Sequence, residues 1–271
     1  MIKRVCTFYF SATGTTQKVI KRLSHCVAYH LHIPKVTEFN FTLPSSRKET
    51  PIFQEGDLVI AGVPVVAGRV PNLLLKFLDT VQGEGALVVP VVLYGNRNYD
   101  DALIEFGQIF EKAGMKIVGG GAFVGEHSFS RILAHGRPDE EDMKVVDEFG
   151  EKLAKKCLSS PIEPVKLPGE DPIRFYYQPR DRHGNAIDIR KVKPRTNDKC
   201  IHCKLCAKVC PMGAIDFDDV SQVTGICIKC CACEKLCPVG AKYFDDENYL
   251  YHKTELEEQY TQTRRPAEYY L

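Results

Sequence analysis

Nine of the twelve cysteines in this 271-residue chain lie between Cys200 and Cys237. Eight of the nine fall into two runs, Cys200-x2-Cys203-x2-Cys206-x3-Cys210-Pro211 and Cys227-x2-Cys230-x2-Cys233-x3-Cys237-Pro238. Segments 200–217 and 227–244 agree at ten of eighteen positions, so this region is an internal repeat with a period of 27 residues. Thiolates at every third residue of a tight loop reach three corners of one metal cluster. Zinc is the alternative, but it ordinarily takes two Cys-x2-Cys knuckles separated by a longer loop. A disulfide scaffold would spread its cysteines through a small secreted domain; here a long cysteine-poor region precedes a compact group. Metal chemistry in a reducing compartment is the expectation. Cys231 breaks the repeat, standing where Lys204 does in the first copy, and reads as a small non-ligand residue. His202 reads as a surface residue within its loop.

A second chemical signal lies near the N-terminus. Ser11-Ala12-Thr13-Gly14-Thr15-Thr16 follows an apolar strand and opens a helix, the place where an open α/β sheet binds an anion through backbone N–H groups and the helix dipole. Hydroxyls and one glycine suit a single phosphate. The lysine of a nucleoside-triphosphate loop is missing, as is the Gly-x-Gly-x-x-Gly of a dinucleotide loop. An ordinary capped helix start is the competing reading.

Positioning these groups requires a scaffold, and residues 1–158 supply one. RVCTFYF reads as a buried strand; Val19, Ile20, Leu23, Cys26, Val27 and Leu31 then recur at helical spacing until Pro34. KVTEFNF, DLVIAGVP, ALVVPVVLYG and MKIVGGGAFVGEHSFS supply four more strands, with helical patterns carrying Leu74 to Val81, Ala102 to Ala113 and a final helix from about Pro138. Several of these strands are apolar throughout, which indicates a parallel sheet covered on both faces. Two further loops end at the same edge: Pro64-Val65-Val66-Ala67-Gly68-Arg69 after the third strand and Gly95-Asn96-Arg97-Asn98-Tyr99-Asp100 after the fourth. His127 and Ser128 follow the fifth strand there. Gly119-Gly120-Gly121 reads either as room for a close backbone approach or as an aid to sheet packing.

Composition excludes several classes. The 36 basic and 35 acidic side chains nearly cancel, so no global field points to nucleic acid. The longest apolar run, Ala86 to Tyr94, is half of what a membrane span needs, and MIKRVCTFYF is too short an apolar stretch for a signal peptide. A cytoplasmic location is expected. Prolines at 161, 164, 168 and 172 suggest an extended linker rather than a packed element. Residues 173–199 carry eight Lys/Arg against three Asp and read as a solvated connector or an acidic-partner strip, with RDRHGNAI as a turn between short extended segments. Residues 210–271 reverse the sign, eleven acids against six basic residues. The tyrosine-rich tail reads as a helix laid on a neighbouring domain.

The doubled cysteine run resembles the bacterial-type ferredoxins that hold two [4Fe–4S] clusters. That resemblance implies one set of Cys200, Cys203, Cys206 and Cys237 and a second of Cys227, Cys230, Cys233 and Cys210, the cysteine beside each proline crossing to the other cluster. FSATGTT after the first strand resembles the phosphate loop of flavodoxins, and the strand–helix alternation fits their fold, strand order 2-1-3-4-5. Loops 64–69 and 95–100 match the family's two flavin-ring loops in position, and with no tryptophan in the chain Tyr99 is the expected stacking residue. The whole is similar to flavodoxin–ferredoxin fusion proteins of anaerobes. The expected architecture is α/β: a flavodoxin-like domain over 1–158 with a five-stranded parallel sheet, a Pro-rich and basic linker over 159–196, a small α+β ferredoxin domain over 197–245 and a charged tail over 246–271. The implied cofactors are FMN and two [4Fe–4S] clusters, and the implied partners are redox proteins. Electron transfer is the function this implies; no catalytic acid, base or nucleophile is indicated. A flavin-dependent reductase fed by the clusters, and a flavin-free docking module carrying a ferredoxin, are the alternatives.

Overall fold

The computed structural model describes residues 2–271. In chain order its first part runs β1 Arg4–Tyr9, α1 Thr15–His30, β2 Val36–Asn40, β3 Asp57–Pro64, α2 Asn72–Leu78, β4 Leu87–Tyr94, α3 Ala102–Lys112, β5 Lys116–Ile117, β6 Gly120–Val124 and α4 Glu140–Cys157. The strands pair in parallel in the order β2-β1-β3-β4-β6, the flavodoxin-like order with its fifth strand split into β5 and β6, both paired to β4. Tyr9 stands level with Asn40 and Gly62, and Tyr94 with Val124, so the loops after all these strands leave from one edge of the sheet.

Both faces are covered, which is why β3 and β4 are apolar without alternation. Val19, Ile20, Leu23 and Val27 of α1 join Val146, Phe149 and Leu153 of α4 over one face. Leu74 and Leu78 of α2 and Phe106 and Phe110 of α3 cover the other, against Phe8, Phe41 and Phe53. α1 packs closely on the sheet at Gly62, where a Cβ would lie 2.4 Å from Cγ1 of Ile20. A capping box starts α4: Asp139 accepts from the Asp142 N–H while the Asp142 side chain accepts from the Asp139 N–H.

The second part contains β7 Arg195–Thr196, α5 Leu205–Lys208, α6 Ala232–Lys235, β8 Lys242–Tyr243, α7 Glu247–Tyr260 and β9 Glu268–Tyr270. β7 and β8 form a small antiparallel pair that closes the cysteine-rich unit. The tail contains the expected helix, α7, and then a strand the sequence does not announce: β9 adds to β6 in antiparallel register, Gly121 opposite Tyr269.

The connector corrects an expectation. Over 161–172 it is extended, as its prolines dictate, but packed against the sheet rather than left as a free linker, while most of 173–199 is exposed. The Val165 N–H donates to the Ile117 carbonyl at 3.0 Å, and Leu167 is buried. A Cβ on Gly120 would come within 2.4 Å of Leu167, so the glycine triplet admits the connector on one side and β9 on the other. Further on, Arg180 pairs with Ala186 across a turn containing Gly184, the expected hairpin. Among the described residues no helix is long and apolar enough to cross a membrane.

Candidate functional site

The two cysteine runs fold as near copies. His202 and Lys229, Lys204 and Cys231, and Gly213 and Gly240 all take left-handed backbone conformations, with φ of 52° and 55°, 60° and 57°, and 59° and 62°. These turns curl the backbone so that N–H groups face sulfur. Ala214 donates to Cys210 Sγ at 3.3 Å and its repeat mate Ala241 to Cys237 Sγ at 3.2 Å. Such concave runs of N–H groups stabilise negative charge. Burial acts against ionisation of Cys237, but the N–H groups of Val239, Ala241, Lys242 and Gly240 outweigh it, and the thiol lies below its ordinary range.

Cys200, Cys203, Cys206 and Cys237 line one hollow with about 320 Å³ of empty space, its open mouth included. Val220, Pro238 and Ala241 form part of its wall. Among the described residues no three His, Cys, Asp or Glu side chains close on a single point as one metal ion requires. The first-set thiols stand round the hollow instead. Cys210 lies close enough for its charge to add to what raises Cys227, Cys230 and Cys233. Burial dominates there, raising Cys227 and Cys233 and pushing Cys230 up to about 12. The sets differ in depth: Cys203 of the first is exposed, whereas Cys233 of the second is buried. Cys231 packs with Phe244 and Tyr249, 3.4 Å from the Tyr249 hydroxyl.

At the sheet edge, Gly14 precedes α1 with φ 91° and, as glycine, offers no side-chain cap of its own. Space around Gly14 is open. Ser11 Oγ accepts from the Gln17 N–H at 3.0 Å, and the Ser11 N–H donates to Thr42 Oγ1 at 2.8 Å. Ser11 thus satisfies one N–H of the first turn of α1, and the remaining free N–H groups of that turn, beside the open space at Gly14, fit an anion. Loops 64–69 and 95–100 lie side by side: the Asp101 N–H donates to the Gly68 carbonyl, and the Asp100 side chain covers Gly68. Ala67, Asn96 and Asp100 all have positive φ, at 50°, 65° and 43°. Strained backbone of this kind persists where surrounding contacts over-determine it, commonly at ligand sites.

Several residues of these loops have internal tasks that sequence reasoning did not foresee. Tyr99 is half-buried. Its ring packs against Tyr94 and its hydroxyl bonds to Glu268 at 2.8 Å and Tyr270 at 2.9 Å. Asn96 is buried and holds the tail, donating to the carbonyls of Tyr260 (2.8 Å) and Thr263 (2.6 Å). Arg69 pairs with Glu105, and Arg97 with Asp100. Tyr177 of the connector is one aromatic beside these loops, its N–H on the Ala67 carbonyl and its ring 4.4 Å from the Arg97 guanidinium carbon. No local signal in the sequence marks it.

The cysteine-rich unit meets this same edge in two places. Arg47, following β2, donates to the Pro211 carbonyl at 2.5 Å, one residue past Cys210. Lys235, two residues past Cys233, reaches Glu126 (2.5 Å) and the carbonyls of His127 (2.7 Å) and Ser130 (2.9 Å). His127 sits at this seam, so close to Gly95 that a Cβ there would lie 2.3 Å from its Cδ2.

Residues 195–216 match the family of 4Fe-4S binding domains. No curated protein matches the chain. Among solved structures the chain is similar to a flavodoxin from the domain Archaea, 14% identical over 56% of this chain and 97% of that one, with a TM-score of 0.37. A flavodoxin of Streptococcus pneumonia TIGR4 is 21% identical over 56% and 98%, at 0.36. The azoreductase from Bacillus anthracis str. Sterne is 12% identical over 57% and 100%, at 0.39.

Proposed function

We propose that this chain is an electron-transfer protein that carries FMN at the edge of its parallel sheet and two [4Fe–4S] clusters in its cysteine-rich unit. Cys200, Cys203, Cys206 and Cys237 would hold one cluster, and Cys210, Cys227, Cys230 and Cys233 the other. Ser11 to Thr16 would hold the FMN phosphate, with loops 64–69 and 95–100 beside the ring. The clusters supply one-electron exchange, and the flavin one- or two-electron exchange. The protein's own part is to bind, orient and electrostatically tune these groups.

The observation that carries the reading is the hollow lined by three cysteines of one run and Cys237 of the other. Crossed ligation is what the doubled motif needs, and Cys210 among the second run's thiols repeats it. The family match over 195–216 supports a 4Fe-4S site in the same place. FMN rests on the helix start after Gly14, the open space there and the sheet order. Contact at Pro211 and Lys235 brings the cysteine unit to the sheet edge that carries the phosphate loop, as exchange within one chain requires.

Strictly anaerobic purification followed by iron, sulfide and flavin analysis tests the proposal. About eight iron, eight sulfide and one FMN per chain are expected. Zinc in place of iron would overturn the cluster assignment, and a flavin-free protein the FMN assignment.

A further inference from the structure

Arg47 ends the short turn Pro44–Arg47 after β2, and its side chain is half-buried without a counter-charge. All three of its side-chain hydrogen bonds go to carbonyl oxygens: Nη1 to Phe41 at 2.9 Å and Thr42 at 2.8 Å, Nη2 to Pro211 at 2.5 Å. The other buried arginines are neutralised, Arg69 by Glu105 and Arg137 by Asp142. Withdrawing a cation from water without an anion is costly, so its retention calls for a compensating charge.

The proposed phosphate and cluster sites, both anionic when filled, flank it. Thr42, whose carbonyl Arg47 holds, takes the Ser11 N–H on its hydroxyl, so the phosphate loop is one hydrogen bond away. On the other side Pro211 is bonded directly to Cys210. Packing reinforces the contact: a Cβ on Gly213 would sit 3.6 Å from Pro44. A planar guanidinium can grip carbonyls on both sides at once, which a lysine ammonium cannot reproduce in that geometry.

We infer that Arg47 is a positioning residue for two sites at once, clasping the phosphate loop to the Cys210 loop and lending its uncompensated charge to both the flavin phosphate and the cluster that Cys210 ligates. The inference rests on the reading proposed above. Loss of the charge makes that cluster harder to reduce, because reduction adds negative charge nearby, and loosens the phosphate-bearing ligand.

The test uses the full-length holoprotein, with anaerobic redox titration followed by electron paramagnetic resonance, and equilibrium binding of FMN and riboflavin to protein stripped of flavin. Arg47→Gln should disfavour reduction of the cluster lost in Cys210→Ala about tenfold, a shift of about 59 mV to lower potential for one electron. It should weaken FMN about tenfold and leave riboflavin nearly unchanged. Lys48→Gln, which removes an exposed neighbouring charge, should do neither. Arg47→Lys keeps the charge and loses the fork: it should hold the potential near wild type while amide exchange at 212–213 speeds up several-fold. Should Arg47→Gln not fold, Arg47→Lys decides, because unchanged exchange or a tenfold loss of reducibility overturns the inference. A folded Arg47→Gln with wild-type potential and wild-type FMN affinity overturns it while leaving the electron-transfer reading intact. A wild-type protein without iron or flavin overturns both.

Discussion

Arg174 of the connector holds Asp101 at the start of α3 through its side chain and its backbone, Nε to Oδ2 at 2.7 Å and N–H to the same oxygen at 2.9 Å. Asp101 is fully buried, and the Glu170 N–H adds a further donor at 3.1 Å. The Arg174 guanidinium, first among these donors, holds the Asp101 carboxyl well below the usual range. This relationship docks the connector directly below loop 95–100, so the two parts of the chain are not joined by a slack tether.

Asp101→Ala should release the connector. Limited proteolysis of the holoprotein should cut within 170–182 at least several-fold faster than in wild type, with bound iron unchanged. Equal cleavage rates would mean that Leu167 and Val165 hold the segment without Asp101.

A pH dependence follows from two histidines at the seam. Burial, then the charges of Lys235, His252 and Arg97, lowers His127 to about 3. Burial, then Arg97, lowers His252 to about 4 against a smaller opposing effect of Glu255. In the unfolded chain histidine titrates near 6.5. Their neutral burial is therefore without cost above about pH 6.5, and stability falls as pH drops towards the folded values, because only the unfolded chain takes up the protons. The loss at pH 5.5 is at most about 1.4 kcal/mol for each histidine. Chemical denaturation at pH 7.5 and 5.5 reads it, and His127→Gln should flatten the pH slope even if it lowers stability throughout. An undiminished slope in that variant would assign the effect elsewhere.

Crossed ligation makes a specific prediction for Cys210→Ala. The cluster of Cys227, Cys230 and Cys233 should be damaged and that of the first run largely kept, leaving about half of the roughly eight iron atoms. Electron paramagnetic resonance of the reduced variant distinguishes the two, because loss of the first-run signal would mean that each run ligates its own cluster.

The phosphate loop is tested by Thr13→Ala and Thr15→Ala. A hydrogen bond to a charged group contributes about 1.5–3 kcal/mol, so each variant should bind FMN roughly 10- to 150-fold more weakly, with little change for riboflavin. Equal weakening of both ligands would make the loop a helix start and nothing more.

What could be read from the sequence was local in sequence. The cysteine spacing, the Ser11–Thr16 loop and the apolar strands each state their own chemistry within a few residues. The ties of Tyr99 to Glu268 and Tyr270 are invisible in the sequence because those partners lie about 170 positions away on a three-residue strand too short to show a period. Proline content describes the connector's backbone correctly, but not that Leu167 finds a glycine-lined recess between Gly107 and Gly120. Arg47 offers no motif at all. Its significance comes only from the carbonyl of Pro211, 164 residues on.

The central claim is that electrons pass between the clusters and FMN within one chain, across the contacts made by Arg47 and Lys235. A docked partner supplies a high and fixed effective concentration without diffusion. The most direct measurement is flavin reduction after rapid reduction of the clusters in the intact holoprotein, followed over a wide range of protein concentration. The account predicts a first-order rate independent of concentration. A rate that rises linearly with protein concentration would show electrons crossing between molecules and would contradict it.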